Sequence, residues 1–105
     1  MNSDYCIVVT TFADDANGKK IIDALISERL AACVQVFPIQ SHYHWKGEIE
    51  CQTEKLAFIK TKSSLFSEVQ ESIVANHTYE TPEVIQLPIE SGFPAYLNWI
   101  NTECK

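Results

Sequence analysis

The spacing of apolar positions changes repeatedly along the chain, and each change marks an element. Cys6-Ile7-Val8-Val9-Thr10-Thr11-Phe12 is short, β-rich and almost continuously apolar, the pattern of a central strand covered on both faces. Asp14 and Asp15 then offer cap oxygens, and Ile21, Ile22, Leu25 and Ile26 recur at helical spacing, predicting a helix that runs through Leu30. From Ala32 to Trp45 the pattern is extended, Lys46-Gly47 breaks it, and Glu48 to Thr61 is extended again: a long hairpin. Pro38 cannot donate to a ladder, so it should mark a bulge or an unpaired edge position. Ser63 and Ser64 are placed to cap a second helix whose stripe is Leu65, Phe66, Val69 and Ile73, ending near Asn76-His77. Pro82 forbids its continuation. Val84-Ile85-Gln86-Leu87 reads as a last strand, and Gly92 and Pro94 open a short C-terminal helix carrying Tyr96, Leu97, Trp99 and Ile100.

This order predicts an α+β domain over residues 1–105, a ferredoxin-like β-α-β-β-α-β sandwich with a long central hairpin and a short terminal helix. A straight strand from Ala32 to Trp45 spans about 46 Å at roughly 3.3 Å per residue. A domain of this size has a radius of gyration of about 13 Å and a width of roughly 33 Å. The hairpin tip therefore overhangs. It carries Tyr43, Trp45 and Ile49, whose apolar area would be left in water, so the pattern predicts a closed homo-oligomer in which another copy receives the tip.

Composition narrows the partners. With 8 Lys+Arg against 14 Asp+Glu and a net charge of −6, the chain has no cationic face for a phosphate backbone, so nucleic acid is excluded. Met1-Asn2-Ser3-Asp4-Tyr5 has no basic leader region and precedes only a short apolar run, so neither membrane insertion nor secretion is expected, and the location is read as cytoplasmic. Cys6, Cys33, Cys51 and Cys104 are widely spaced and are read as free thiols.

Five ordered stretches identify a resemblance: Leu30-Ala31-Ala32-Cys33-Val34; Tyr43-His44-Trp45-Lys46-Gly47-Glu48-Ile49-Glu50; Ile59-Lys60-Thr61; His77-Thr78-Tyr79-Glu80-Thr81-Pro82-Glu83; and Leu87-Pro88-Ile89 through Tyr96-Leu97-Asn98-Trp99-Ile100. Over nearly its whole length the chain resembles the divalent-cation tolerance protein CutA family. That resemblance implies a protomer similar in architecture to the PII signalling proteins, a tight homotrimer, and links to copper tolerance and divalent-metal binding. Some bacterial members described as copper-binding carry Cys where this chain has Thr10 and a second His where it has Asn76, so of those three ligands only His77 carries over.

His77 is the leading ligand candidate for Cu(II) or another divalent cation, because a neutral imidazole suits such ions and Glu80 and Glu83 lie close in sequence. The competing reading makes His77 a cap at the helix C-terminus and Glu83 a hydrogen-bonded residue at a subunit boundary. Tyr79, Tyr96 and Trp99 would pack and bond across that boundary. A two-residue turn at Lys46-Gly47 would set His42, His44 and Cys51 on one face of the hairpin, a second possible metal trio. The chain has no Gly-x-Ser-x-Gly, no His-Glu-x-x-His and no Gly-rich phosphate loop, so no catalytic role is expected. Two different classes stay open: a PII-like signalling module holding a small anion or metabolite between subunits, with Lys60 or Lys62 meeting its charge, and a stable scaffold or membrane-protein anchor without ligand.

Overall fold

The computed structural model describes residues 3–105; Met1 and Asn2, which open the segment read as lacking a leader, lie outside the described residues. Its elements are β1 (Tyr5–Phe12), α1 (Asp15–Ser27), β2 (Cys33–Trp45), β3 (Glu48–Lys62), α2 (Phe66–Asn76), β4 (Ile85–Pro88) and α3 (Pro94–Glu103). The four strands pair antiparallel in the order β2-β3-β1-β4, the ferredoxin-like sheet that the sequence pattern predicts.

Local chemistry sets the boundaries. The Asp14 side chain accepts from the Asn17 N–H at 2.8 Å and starts α1 as its N-cap. That helix stops at Ser27 instead of reaching Leu30, because Arg29 turns into the left-handed region (φ 57°) and the Leu30 N–H returns to the Leu25 carbonyl at 2.9 Å. Arg29 then donates to the carbonyls of Thr102 and Glu103 at 2.6 and 2.9 Å, closing the end of α3. Ser63 and Ser64 do not cap α2: they form a 3-10 turn (Ser63–Leu65) that leads into the helix with no side-chain cap bond.

Alternation along β1 separates two faces. Cys6, Val8 and Phe12, with Ala57 and Ile59 of β3, meet Ile21 and Leu25 of α1, Val69 and Ile73 of α2, and Ile100 of α3 in one core. Ile21, Leu25, Ile59, Ile73 and Ile100 are essentially solvent-free, each worth about 2 kcal/mol of transfer free energy. Gly18 lets α1 approach closely, since a Cβ there would stand 2.2 Å from the Phe12 ring. The opposite face holds Ile7, Val9, Leu56, Phe58, Ile85 and Leu87 in register and has no helix layer; Phe37, Ile85 and Leu87 on it remain exposed. In the single chain β1 is thus central in the sheet, with helices on one side of it.

The hairpin register runs without a bulge from Cys33↔Lys60 to Trp45↔Glu48, as a two-residue Lys46-Gly47 turn requires. Pro38 sits opposite Lys55 in regular register on the outer strand, so its missing N–H is tolerated at an edge. The molecule measures 44 × 28 × 22 Å with a radius of gyration of 14.3 Å. The arm is not a bare ribbon: residues 78–83 lie against it and form a cleft with Tyr43 and Trp45.

Candidate functional site

The chain leaving α2 is fixed by polar groups at both ends. Asn17, buried on the same stripe of α1 as Ile21 and Leu25, donates through Nδ2 to the Asn76 carbonyl at 2.8 Å and accepts from Thr78 Oγ1 at 3.3 Å. His77 Nε2 donates to the Thr11 carbonyl at the end of β1 (2.7 Å), while its Nδ1 accepts the Tyr79 N–H (3.1 Å). A carbonyl can only accept and an N–H can only donate, so this arrangement requires the neutral Nε2–H tautomer. Both ring nitrogens are then occupied, and neither offers a lone pair to a metal. Nor does the ring cap the helix carbonyls; it ties α2's exit to β1.

Tyr79 reaches β3 just past the last β1 pair, Phe12↔Lys55. Its hydroxyl donates to Glu54 Oε2 at 2.5 Å and accepts from Gln52 Nε2 at 3.4 Å, while Tyr43 donates to Gln52 Oε1 at 2.6 Å. Burial, with the Glu54 carboxylate beside it, pushes the Tyr79 phenol far above its ordinary range. Glu54 is a carboxylate only 7% exposed, anchored by this charge-assisted bond. Glu83 remains open to solvent as a residue, yet dehydration of its carboxyl, and secondarily the charge of Glu54, raises its pKa. Glu80 stands at the rim, 3.6 Å from Lys46 Nζ.

Together these residues line a cleft of about 650 Å³: Thr11, Ser41, His42, Tyr43, Trp45, Glu54, Thr78, Tyr79, Glu80, Thr81 and Glu83. Three glutamates line it and, among the described residues, no Lys or Arg does, although the Lys46 ammonium meets Glu80 at the rim. Of the expected metal set, Glu80 and Glu83 lie in the cleft, whereas His77 is engaged behind it. Among the described residues no three His, Cys, Asp or Glu side chains converge closely enough to hold a metal ion by themselves. Glu54, Asn17 and Gln52 went unnoticed in the sequence. Glu54 had a signal, since the hairpin register puts it on the same face as Tyr43 and Trp45; Asn17 had one in falling four residues before Ile21 on the buried stripe.

The remaining candidates are dispersed. Tyr43 and Trp45 line the cleft, Ile49 is 79% exposed on the other hairpin face, and Trp99, stacked on Tyr96 at 5.5 Å, lies on α3. Lys60 donates to the Tyr96 hydroxyl at 3.2 Å, and neither it nor Lys62 reaches the cleft. Thr10 is fully buried with no hydrogen-bond partner for Oγ1 among the described residues.

A ferredoxin-like sandwich with a projecting arm and an acidic cleft alongside it is the class these features define. The family model described as CutA1 divalent ion tolerance protein matches residues 6–103, and the chain belongs to that family. It is 40% identical over 100 residues to the chloroplastic Protein CutA of Arabidopsis thaliana, covering 94% of this chain and 55% of that one, so it spans a little over half of that relative's length. The crystal structure of CutA from Xylella fastidiosa superposes with a TM-score of 0.94 at 38% identity, covering 98% of this chain and 100% of that one. The Archaeoglobus fulgidus structure described as a periplasmic divalent cation tolerance protein CutA gives a TM-score of 0.91 at 36% identity, covering 94% and 97% of the two chains. Those names put relatives in a chloroplast and a periplasm, so membership does not carry the cytoplasmic location expected above. No helix among the described residues is long and apolar enough to cross a membrane.

The cleft carboxylates offer hard oxygen donors, whereas both nitrogens of His77 are taken.

Proposed function

We propose that this protein contributes to divalent-cation tolerance, copper included, by holding cations weakly at the cleft rather than by catalysis. Glu54 and Glu83 supply the ligand oxygens, Glu80 recruits from the rim, and His77 positions the loop that carries them. The observation behind this reading is a cleft lined by three glutamates and, among the described residues, by no Lys or Arg, with the Lys46 ammonium reaching only Glu80 at the rim. Two like charges near one another, one of them buried, are relieved by a cation, and the same field repels an anion. That disfavours a PII-like metabolite site using Lys60 or Lys62.

The chain works as a homotrimer. Support comes from the helix-free sheet face with Phe37, Ile85 and Leu87 exposed, together with Trp99 and the tip residue Ile49. A cation with two protein ligands per protomer keeps water or takes a group from a neighbouring copy, consistent with weak binding. Four free cysteines support the cytoplasm as the compartment.

Calorimetric titration with Cu(II) and Zn(II) tests the site. Wild type should bind weakly, and Glu83→Gln or Glu54→Gln should lower affinity by about tenfold or more, as loss of even an outer-sphere partner does. Unchanged binding in both variants would overturn the assignment. Light scattering should give a trimer; a monomer at micromolar concentration would contradict the assembly.

A further inference from the structure

A second cluster of metal-ligating side chains lies outside the acidic cleft's carboxylates. His42 and Cys51 face each other directly in the β2–β3 register, and Cys51 Sγ stands 3.9 Å from His42 Nε2. Bond lengths of about 2.3 Å to sulfur and 2.0–2.1 Å to nitrogen place the two donors about 3.6 Å apart at a tetrahedral metal and about 4.3 Å apart at a linear one. The observed separation falls between these limits, so one ion can bridge the pair with little movement. His44 follows two residues on, on the same face, opposite Ile49. In the single chain all three side chains are exposed on a hairpin held in unbroken register. Among the described residues the His42 ring bonds only to Cys51, in contrast to His77, whose nitrogens are both engaged.

We propose that His42 and Cys51 form a binding site for a soft or borderline metal cation such as Cu(I), Zn(II) or Cd(II), with His44 turning in as third ligand. The donor set selects the ion class: thiolate and imidazole favour these metals, whereas the carboxylates of the cleft suit harder ones. Two preset ligands suffice for a linear Cu(I) centre; Zn(II) or Cd(II) takes His44 and water as well. Binding releases the Cys51 thiol proton to solvent as the sulfur–metal bond forms, so affinity falls with falling pH. His42 also borders the acidic cleft, but the pair uses none of the carboxylates proposed as ligands there.

The test is Cd(II) titration of the full-length protein, followed by the ultraviolet sulfur-to-metal charge-transfer band. Wild type should develop a saturable band that Cys51→Ser abolishes and Glu83→Gln leaves unchanged. His42→Asn should weaken binding at least about tenfold, since even an outer-shell partner is worth that much; His44→Ala should weaken it less. Cys51→His separates ligation from folding: it should keep Zn(II) affinity while losing the Cd(II) band. A band of wild-type affinity in Cys51→Ser, wild-type binding in His42→Asn, or no band in wild type would overturn the proposal.

Discussion

The loop from His77 to Glu83 and the tip of the hairpin hold the same kinds of side chain in opposite circumstances. In the loop, His77 is held by two main-chain groups and Tyr79 by Glu54 and Gln52, so its imidazole and phenol are structural. At the tip, His42, His44 and Cys51 are exposed, and the one polar contact among them is the His42–Cys51 pair itself. A histidine near carboxylates in sequence is therefore no guide to ligation; the occupancy of its nitrogens is. The contrast assigns rigidity to the loop and open donor atoms to the arm and cleft.

The comparison breaks most readily at Tyr79. Tyr79→Phe leaves the buried Glu54 carboxylate without its donor and should destabilise the fold by about 2–3 kcal/mol, read as a lower midpoint in urea denaturation. An effect near zero would mean that the loop does not clamp the arm. His77→Ala should cost about 2 kcal/mol, since it leaves the part-buried Thr11 carbonyl and Tyr79 N–H without their partner. If His77 were a ligand rather than a clasp, stability would hardly change while cation affinity collapsed.

Two substitutions sharpen it in the stabilising direction. Thr10→Val replaces a buried, unpartnered hydroxyl by a methyl of similar size, and should raise stability by about 1 kcal/mol. Lys46 lies in the left-handed region at φ 50°, beside Gly47 at φ 83°, where Asn is better tolerated. Lys46→Asn gives up exposed contacts with Glu80 and the Trp45 ring. It should gain about 0.5 kcal/mol at the turn, seen as slower amide exchange at the tip without change in the core.

Much of the fold was legible because it depends on spacing. The hairpin register followed from Lys46-Gly47 alone, and the α1 stripe from Ile21 and Leu25. The end of α1 was misjudged because Arg29 takes a conformation usually left to glycine. The Ser63 and Ser64 cap failed because a 3-10 turn starts at that point, before the α-helix. The site was half legible. Glu80 and Glu83 fall in the cleft as side chains near one another in sequence can. The duty of His77 was hidden because its partners are main-chain groups, one of them on Thr11, and a carbonyl leaves no mark in a residue pattern.

His77 is a clasp, and the cleft carboxylates are the proposed ligands. Nitrogen-detected NMR of the His77 ring, with carboxyl carbon shifts of Glu54 and Glu83, follows both through one Zn(II) titration. The account predicts an Nε2–H ring whose two nitrogen shifts stay fixed while both carboxyl carbons move. Movement of either His77 nitrogen to a metal-bound shift, with the carboxyl carbons unmoved, would contradict it.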